Sequence, residues 1–227
     1  METSMSVLVC GAGPTGLVAA LELARRGIDV RIVDVEPNLS QLSKAAVLWR
    51  RSLEVLHASV PVEQFTTQGR PVFGIQFEAD GSVLQEIDFG VDTGRFPHGL
   101  LIPQNKTESI LNEALESLGV QVEREVAVKD FSSCADHVEV QFSDGVIADA
   151  GPIDLESSRI DPTCENMLHV LRSRSGLDWT IKKALWLSEF RINERQVDQY
   201  CHSRVILAGD AAHIHSPAGG QGLHTSI

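Results

Sequence analysis

The strongest constraint on this chain lies at Gly11-Ala-Gly13-Pro-Thr-Gly16, a G-x-G-x-x-G spacing set between an apolar run and a helix-like one. Before it, Ser6-Val-Leu-Val-Cys10 reads as a short strand suited to burial on both faces. After it, Thr15 to Arg26 places Leu17, Leu21 and Ala24 at helical spacing and stops before Gly27, a residue suited to a left-handed C-cap. Asp29-Val-Arg-Ile-Val-Asp34 then returns to β-branched residues. The pattern predicts strand, turn, helix and strand, which together form a βαβ unit. Each glycine has its own task there. Gly11 permits the tight turn, Gly13 lets the backbone approach a pyrophosphate, and Gly16 lets the helix pack closely on the strand. The helix N-terminus offers unpaired amides to the phosphates. Asp34, about 20 residues beyond the glycines, is placed to accept hydrogen bonds from a ribose diol, with Glu36 as a fallback. The ADP half of NAD and that of FAD fit this arrangement equally well.

Further along, Ala45 to Leu56 has a helical pattern. Phe73 to Glu78 and Val83 to Phe89 read as the two arms of a hairpin around Asp80-Gly81. Gln104 to Leu118 aligns Ile110, Leu111, Leu115 and Leu118 on one helical stripe and ends before Gly119. Val120 to Val128 alternates as one strand and Val138 to Phe142 is a plausible partner for it. Residues 151–161 lose periodicity among Gly, Pro, Ser and isolated charges, as a linker does. Helical spacing resumes over Thr163 to Leu171. Ala184 to Ile192 and Val205 to Ala208 read as strands, the second running into a loop dense in Gly, Asp, His and Pro.

A chain of 227 residues with 43% hydrophobic content can bury a substantial core. Its net charge of −12, spread along the sequence, disfavours nucleic acid and anionic membrane surfaces as partners and favours a small molecule. The cysteines Cys10, Cys134, Cys164 and Cys201 are far apart and include no C-x-x-C pair. They read as reduced structural thiols, with no metal site expected. No basic, apolar leader and no membrane-length apolar run is visible, so a soluble cytoplasmic protein is the expectation.

The C-terminal region separates the two cofactors. Leu207 to Gly222 reads LAGDAAHIHSPAGGQG and resembles the second FAD signature of the para-hydroxybenzoate hydroxylase-like, or group A, flavoprotein monooxygenases. A strand ending near Gly209 would place Asp210 at its C-terminal edge, where ligands of open α/β sheets sit, so that an acid there can hold ribityl hydroxyls. Gly219, Gly220 and Gly222 allow backbone amides to come close to a planar ring. His213 and His215 beside Asp210 are assigned to loop packing rather than to a metal, given their spacing. Two more segments are similar to the family's. Lys44-Ala-Ala-Val-Leu-Trp-Arg-Arg51-Ser-Leu-Glu54 resembles R-A-x-G-x-x-x-R-T-x-E, with Lys44 at the first basic position, where it keeps the charge but loses the bidentate fork of arginine. Ile102-Pro-Gln104 resembles the segment whose glutamine contacts the cofactor.

The resemblance implies an α/β chain with a three-layer, Rossmann-like FAD-binding domain over residues 1–72, 98–150 and 195–227. A partial β-sheet substrate domain is implied over 73–97 and 151–194. It also implies FAD reduced by NADPH or NADH, and O₂ then supplying an oxygen atom to a phenolic or polyketide-like aromatic substrate. The cofactor carries the hard chemistry, so no catalytic base is assigned; His98, His169, Tyr200 and His202 are the titrating groups available. An oligomeric state is not indicated. Three departures from the family stand out. The Asp-Gly motif that touches both FAD and the nicotinamide is missing, since Asp144-Gly145 sits in a turn upstream of its place. From Ala150 the chain passes directly to what looks like a later part of the substrate domain, as if a block were absent, and His224 stands at the family's usual asparagine. A truncated chain is therefore expected, and a non-catalytic flavin-binding remnant is the alternative reading.

Overall fold

The glycine-centred βαβ unit forms as the spacing predicts. The computed structural model describes residues 6–39, 47–79, 81–90, 95–144, 163–178, 180–181 and 195–214. Strand β1 (Val7–Cys10) leads through the glycine turn into helix α1 (Pro14–Arg25), and strand β2 (Val30–Val33) returns parallel to β1, with Val7 opposite Val30 and Cys10 opposite Val33. Pro14 at the first helical position has the fixed φ that a helix start needs. Gly27, at φ +73°, ends the helix, its N–H donating to the Ala24 carbonyl at 2.9 Å. β1 is an edge strand of its three-stranded sheet and only half buried, with Cys10 exposed. Burial on both faces, expected from its apolar run, belongs instead to the inner strand β2.

The next segment departs from its helical pattern. Val47 and Leu48 form strand β3 (Val47–Leu48), and only then does helix α2 (Arg50–His57) begin. A short helix α3 (Glu63–Thr66) precedes strand β4 (Arg70–Val72), strands β5 (Gly74–Ala79) and β6 (Ser82–Asp88) pair with each other, and strand β7 (Gly99–Leu101) follows. β7 is the reason for the departure. It takes Leu48 and Val47 as antiparallel partners of Leu100 and Leu101 on one side and β4 on the other, and such pairing overrides a local helical preference.

Helix α4 (Gln104–Ser117) packs against α1. Leu17 and Leu21 of α1 meet Ile110, Leu111 and Leu115 of α4 in one core with Ile32 of β2, all at most 2% exposed. Each such side chain contributes about 2 kcal/mol of burial. Beyond α4, the single strand expected over 120–128 is two. Strand β8 (Val122–Glu123) joins β2 in parallel, extending the sheet to the order β1-β2-β8, whereas strand β9 (Val126–Ser133) pairs antiparallel with strand β10 (Val138–Asp144). Glu125, at φ +59°, makes the break that lets one continuous β-like sequence serve two sheets.

Helix α5 (Cys164–Ser175) is capped by Thr163, whose hydroxyl accepts the Asn166 N–H at 3.2 Å, and it closes at the left-handed Gly176. Strands β11 (Arg195–Gln196), β12 (Cys201–His202), β13 (Val205–Ile206) and β14 (His213–Ile214) complete the described chain, with β11 paired to β14 and β12 to β13. Contact density divides the chain into one unit of residues 1–75, 88–148 and 193–227 and a smaller one of 76–87 and 149–192. The candidate site lies in the first. Among the described residues no helix is long and apolar enough to cross a membrane.

One ion pair ties β8 to β2. The Arg31 guanidinium donates to both carboxylate oxygens of Glu123 at 2.7 Å and lies over the Phe142 ring at 4.5 Å. The hydrogen bonds from Arg31 hold the Glu123 carboxyl below its ordinary range. A depressed carboxylate stabilises the fold above its unfolded pKa, and that contribution disappears as pH falls through the folded value. Glu123 is about half exposed, so solvent screening limits the effect. Glu123→Gln is expected to cost about 0.5 kcal/mol at pH 7, with the gap from the parent closing in urea melts as pH is lowered below the ordinary carboxylate range.

Candidate cofactor site

The turn between β1 and α1 has the geometry a phosphate cradle needs. Gly11 sits at φ +101°, a conformation that favours glycine, and its N–H donates to the Val33 carbonyl at 2.8 Å. A Cβ at Gly16 would stand 1.9 Å from the Gly11 carbonyl oxygen, so the helix packs on the turn at a distance only glycine allows. Among the described residues, a Cβ at Gly13 would meet no non-neighbouring atom within 4 Å, which leaves the backbone there open to approach. No side chain caps α1 and its first turn holds no acid, so the positive end of the helix dipole has no counter-charge from its own sequence. These features fit a pyrophosphate.

Asp34 stands beside this cradle. Its N–H donates to the Glu123 carbonyl at 2.9 Å and its carbonyl accepts from Val126 N–H at 3.0 Å, so β8 and the start of β9 fix its backbone. The carboxylate accepts the Ala12 N–H at Oδ2 and the Glu36 N–H at Oδ1, the latter at 2.7 Å. Two carboxylate oxygens offer about four acceptor positions, so capacity for a ribose hydroxyl remains. Arg124 reaches within 4.0 Å of Oδ2, with both side chains largely shielded from solvent. Sequence reasoning missed Arg124, because no spacing rule connects it to Asp34. Glu36 is exposed and contributes its backbone.

The second signature meets the first directly. Gly209, buried and at φ +61°, faces Thr15 so closely that a Cβ would lie 2.8 Å from the Thr15 hydroxyl oxygen. Asp210 follows in a 3-10 turn, Gly209–Ala211, with its side chain exposed. The strand before it differs from expectation. β13 ends at Ile206, and among the described residues it pairs only with the antiparallel β12, not with the parallel sheet. The edge that carries Asp210 is therefore formed by a glycine turn packed on α1.

Gln104 begins α4, where its carboxamide donates to Glu108 Oε1 at 2.8 Å; Glu108 is buried. That acid was also missed, although its i,i+4 spacing from Gln104 on one helix is a local signal that could have found it. Lys44, Gly219, Gly220, Gly222 and His215 lie outside the described residues. His213 pairs with Gln196 across β14 and β11, and its ring lies 6.3 Å from Tyr200. His98 is half buried beside Phe73, ring centroids 4.4 Å apart, and borders a cavity of about 100 Å³ with Trp49, Arg50 and Phe89. His169, Tyr200 and His202 are exposed.

Known proteins are similar to this chain. A flavin-dependent monooxygenase of Mycobacteroides abscessus is 30% identical, covering 98% of this chain and 65% of its own length. The 6-methylpretetramide 4-monooxygenase of Streptomyces rimosus is 27% identical, covering 97% of this chain and 53% of its own. A crystal structure of p-nitrophenol 4-monooxygenase from Pseudomonas putida superposes with a TM-score of 0.82 at 20% identity, covering 98% of this chain and 76% of that one, which shows a shared fold. The chain thus spans little more than half to about two thirds of the curated relatives' length. The first alignment runs to 308 positions against a chain of 227, so the relative carries stretches that face no residue here. The model of the FAD binding domain family matches in two segments, 4–147 and 146–227, whose junction lies close to the point where the sequence departs from its pattern. With that family's model covering nearly every residue, the chain belongs to the FAD binding domain family.

Proposed function

We propose that this chain holds FAD across the junction of its two signatures and serves an NAD(P)H-dependent and O₂-dependent hydroxylation of a phenolic or polyketide-like aromatic substrate. The observation that carries the reading is the contact of Gly209 with Thr15, which sets Asp210 beside the start of α1. Gly11, Gly13 and Gly16 take the pyrophosphate and Asp34 the adenosine ribose, while Asp210 takes the ribityl hydroxyls. Lys44, Gln104, Gly219, Gly220 and Gly222 join them by resemblance to the family. FAD, when bound, supplies the redox chemistry and the activation of O₂. The protein's own residues bind and orient it, and the dipole of α1 favours its negative charge. Residues 1–72, 98–150 and 195–227 form the cofactor domain, and 73–97 with 151–194 the part of a substrate domain present. The four free thiols suit a reducing, cytoplasmic setting.

A second reading has its own support. The missing Asp-Gly motif and the relatives' unmatched stretches favour a chain that binds flavin without turning over. Anaerobic addition of NADPH or NADH to the FAD-loaded chain separates the two. Bleaching of the flavin, followed on admission of air by hydroxylation of a phenolic panel, is the result expected for the enzyme. A yellow protein that neither nicotinamide bleaches means the remnant.

A further inference from the structure

We propose a surface site for a divalent transition-metal ion of the zinc class at the end of the β9–β10 hairpin, made by Cys134, His137 and Glu139. One ligand atom from each lies within 4.8 Å of the others. The sequence reading missed the group because it looked for paired cysteines, and the ligands here are held by a hairpin instead.

The imidazole and the carboxylate each have an orienting neighbour, and the cysteine sits on the loop that closes the hairpin. Cys134 N–H donates to the His137 carbonyl at 2.9 Å and closes the loop between the strands. Asp136 Oδ1 lies 2.7 Å from His137 Nδ1. With the proton on Nδ1, this is the carboxylate–histidine arrangement that fixes a ligating imidazole, and it leaves the Nε2 lone pair facing outward. Ser132 donates to Glu139 Oε2 at 3.4 Å, leaving Oε1 turned toward the histidine at 3.6 Å from Nε2. Two acceptors face one another across that gap, so it suits a shared cation or a proton on the imidazole. Tetrahedral zinc with bonds of about 2.0–2.3 Å puts its ligand atoms about 3.3–3.6 Å apart. The imidazole and carboxylate already meet that separation, and rotation of the Cys134 side chain brings in the thiolate. One S, one N and one O ligand select zinc, cobalt or copper over magnesium or calcium. Binding exchanges the thiol proton for the metal, so Cys–SH and M²⁺ give Cys–S–M⁺ and H⁺, with water filling the remaining position.

The test uses the full chain, freed of flavin and kept reduced, titrated with Co²⁺. The expected result is a thiolate-to-cobalt charge-transfer band that saturates near one equivalent and is displaced by Zn²⁺. Cys134→Ser should abolish the band, His137→Ala should weaken Zn²⁺ binding at least tenfold by calorimetry, and Cys164→Ser should leave both unchanged. Absence of the band, its survival in Cys134→Ser, or undiminished Zn²⁺ affinity in His137→Ala overturns the site. FAD affinity is expected to be the same in all of these variants, so the outcome is independent of the flavin reading.

Discussion

Gly16→Ala is expected to eliminate measurable FAD binding and to lower the melting temperature by about 6–12 °C, the shift for a loss of about 3 kcal/mol in a chain of this size. The cause is steric and local. The new methyl would stand 1.9 Å from the Gly11 carbonyl oxygen, and backbone is what it strikes, so relief requires moving α1 off the turn. That movement disturbs the Leu17 and Leu21 packing against α4 and the amides meant for the pyrophosphate together. Gly13→Ala is the informative contrast. Its methyl meets no non-neighbouring atom among the described residues, so stability should hold within about 0.5 kcal/mol, while FAD affinity falls at least tenfold because the methyl occupies the proposed approach of the phosphate. A Gly13 variant as unstable as the Gly16 variant, or one with full affinity, would contradict this division of labour.

Asp34→Ala should raise the dissociation constant for FAD by roughly 30- to 100-fold, about 2–3 kcal/mol. The carboxylate does two things at once. It accepts the Ala12 and Glu36 amides, which shapes the loop carrying Gly11 and Gly13, and in the proposed complex its remaining acceptor positions take the ribose. Asp34→Asn keeps one acceptor oxygen and the shape, so its loss should be several-fold smaller. Fluorescence titration of FAD against the three chains, with thermal melts alongside, checks the order. Equal affinity in parent and alanine variant would remove Asp34 from the site.

What could be read in advance follows physical range. Gly11, Gly13, Gly16 and Asp34 were legible because a tight turn, a backbone approach, a close packing and a strand end each demand a residue type at a fixed local offset. Helix α4 was legible from its stripe and from Gly119. Several misreadings involve partners distant in sequence. Val47 and Leu48 look helical until β7 pairs with them. The run over 120–128 looks like one strand, and only the positive φ of Glu125 shows that Val122 serves the β2 sheet while Val126 serves β10. Glu108 meets Gln104 at the i,i+4 spacing of one helix, a local signal that was there to be read, whereas Arg124 reaches Asp34 through tertiary placement that no spacing announces. The Thr15–Gly209 contact belongs to the same class. Each signature was readable alone, and only the fold shows that they touch.

The most direct test of FAD binding at this junction is titration of the purified flavin-free chain with FAD, followed by quenching of flavin fluorescence, with ADP as competitor. The expected result is saturable binding at about one FAD per chain with micromolar or tighter affinity, displaced by ADP in the parent and lost in Gly16→Ala. Fluorescence that never saturates, or binding that ADP leaves untouched and Gly16→Ala preserves, would contradict the assignment.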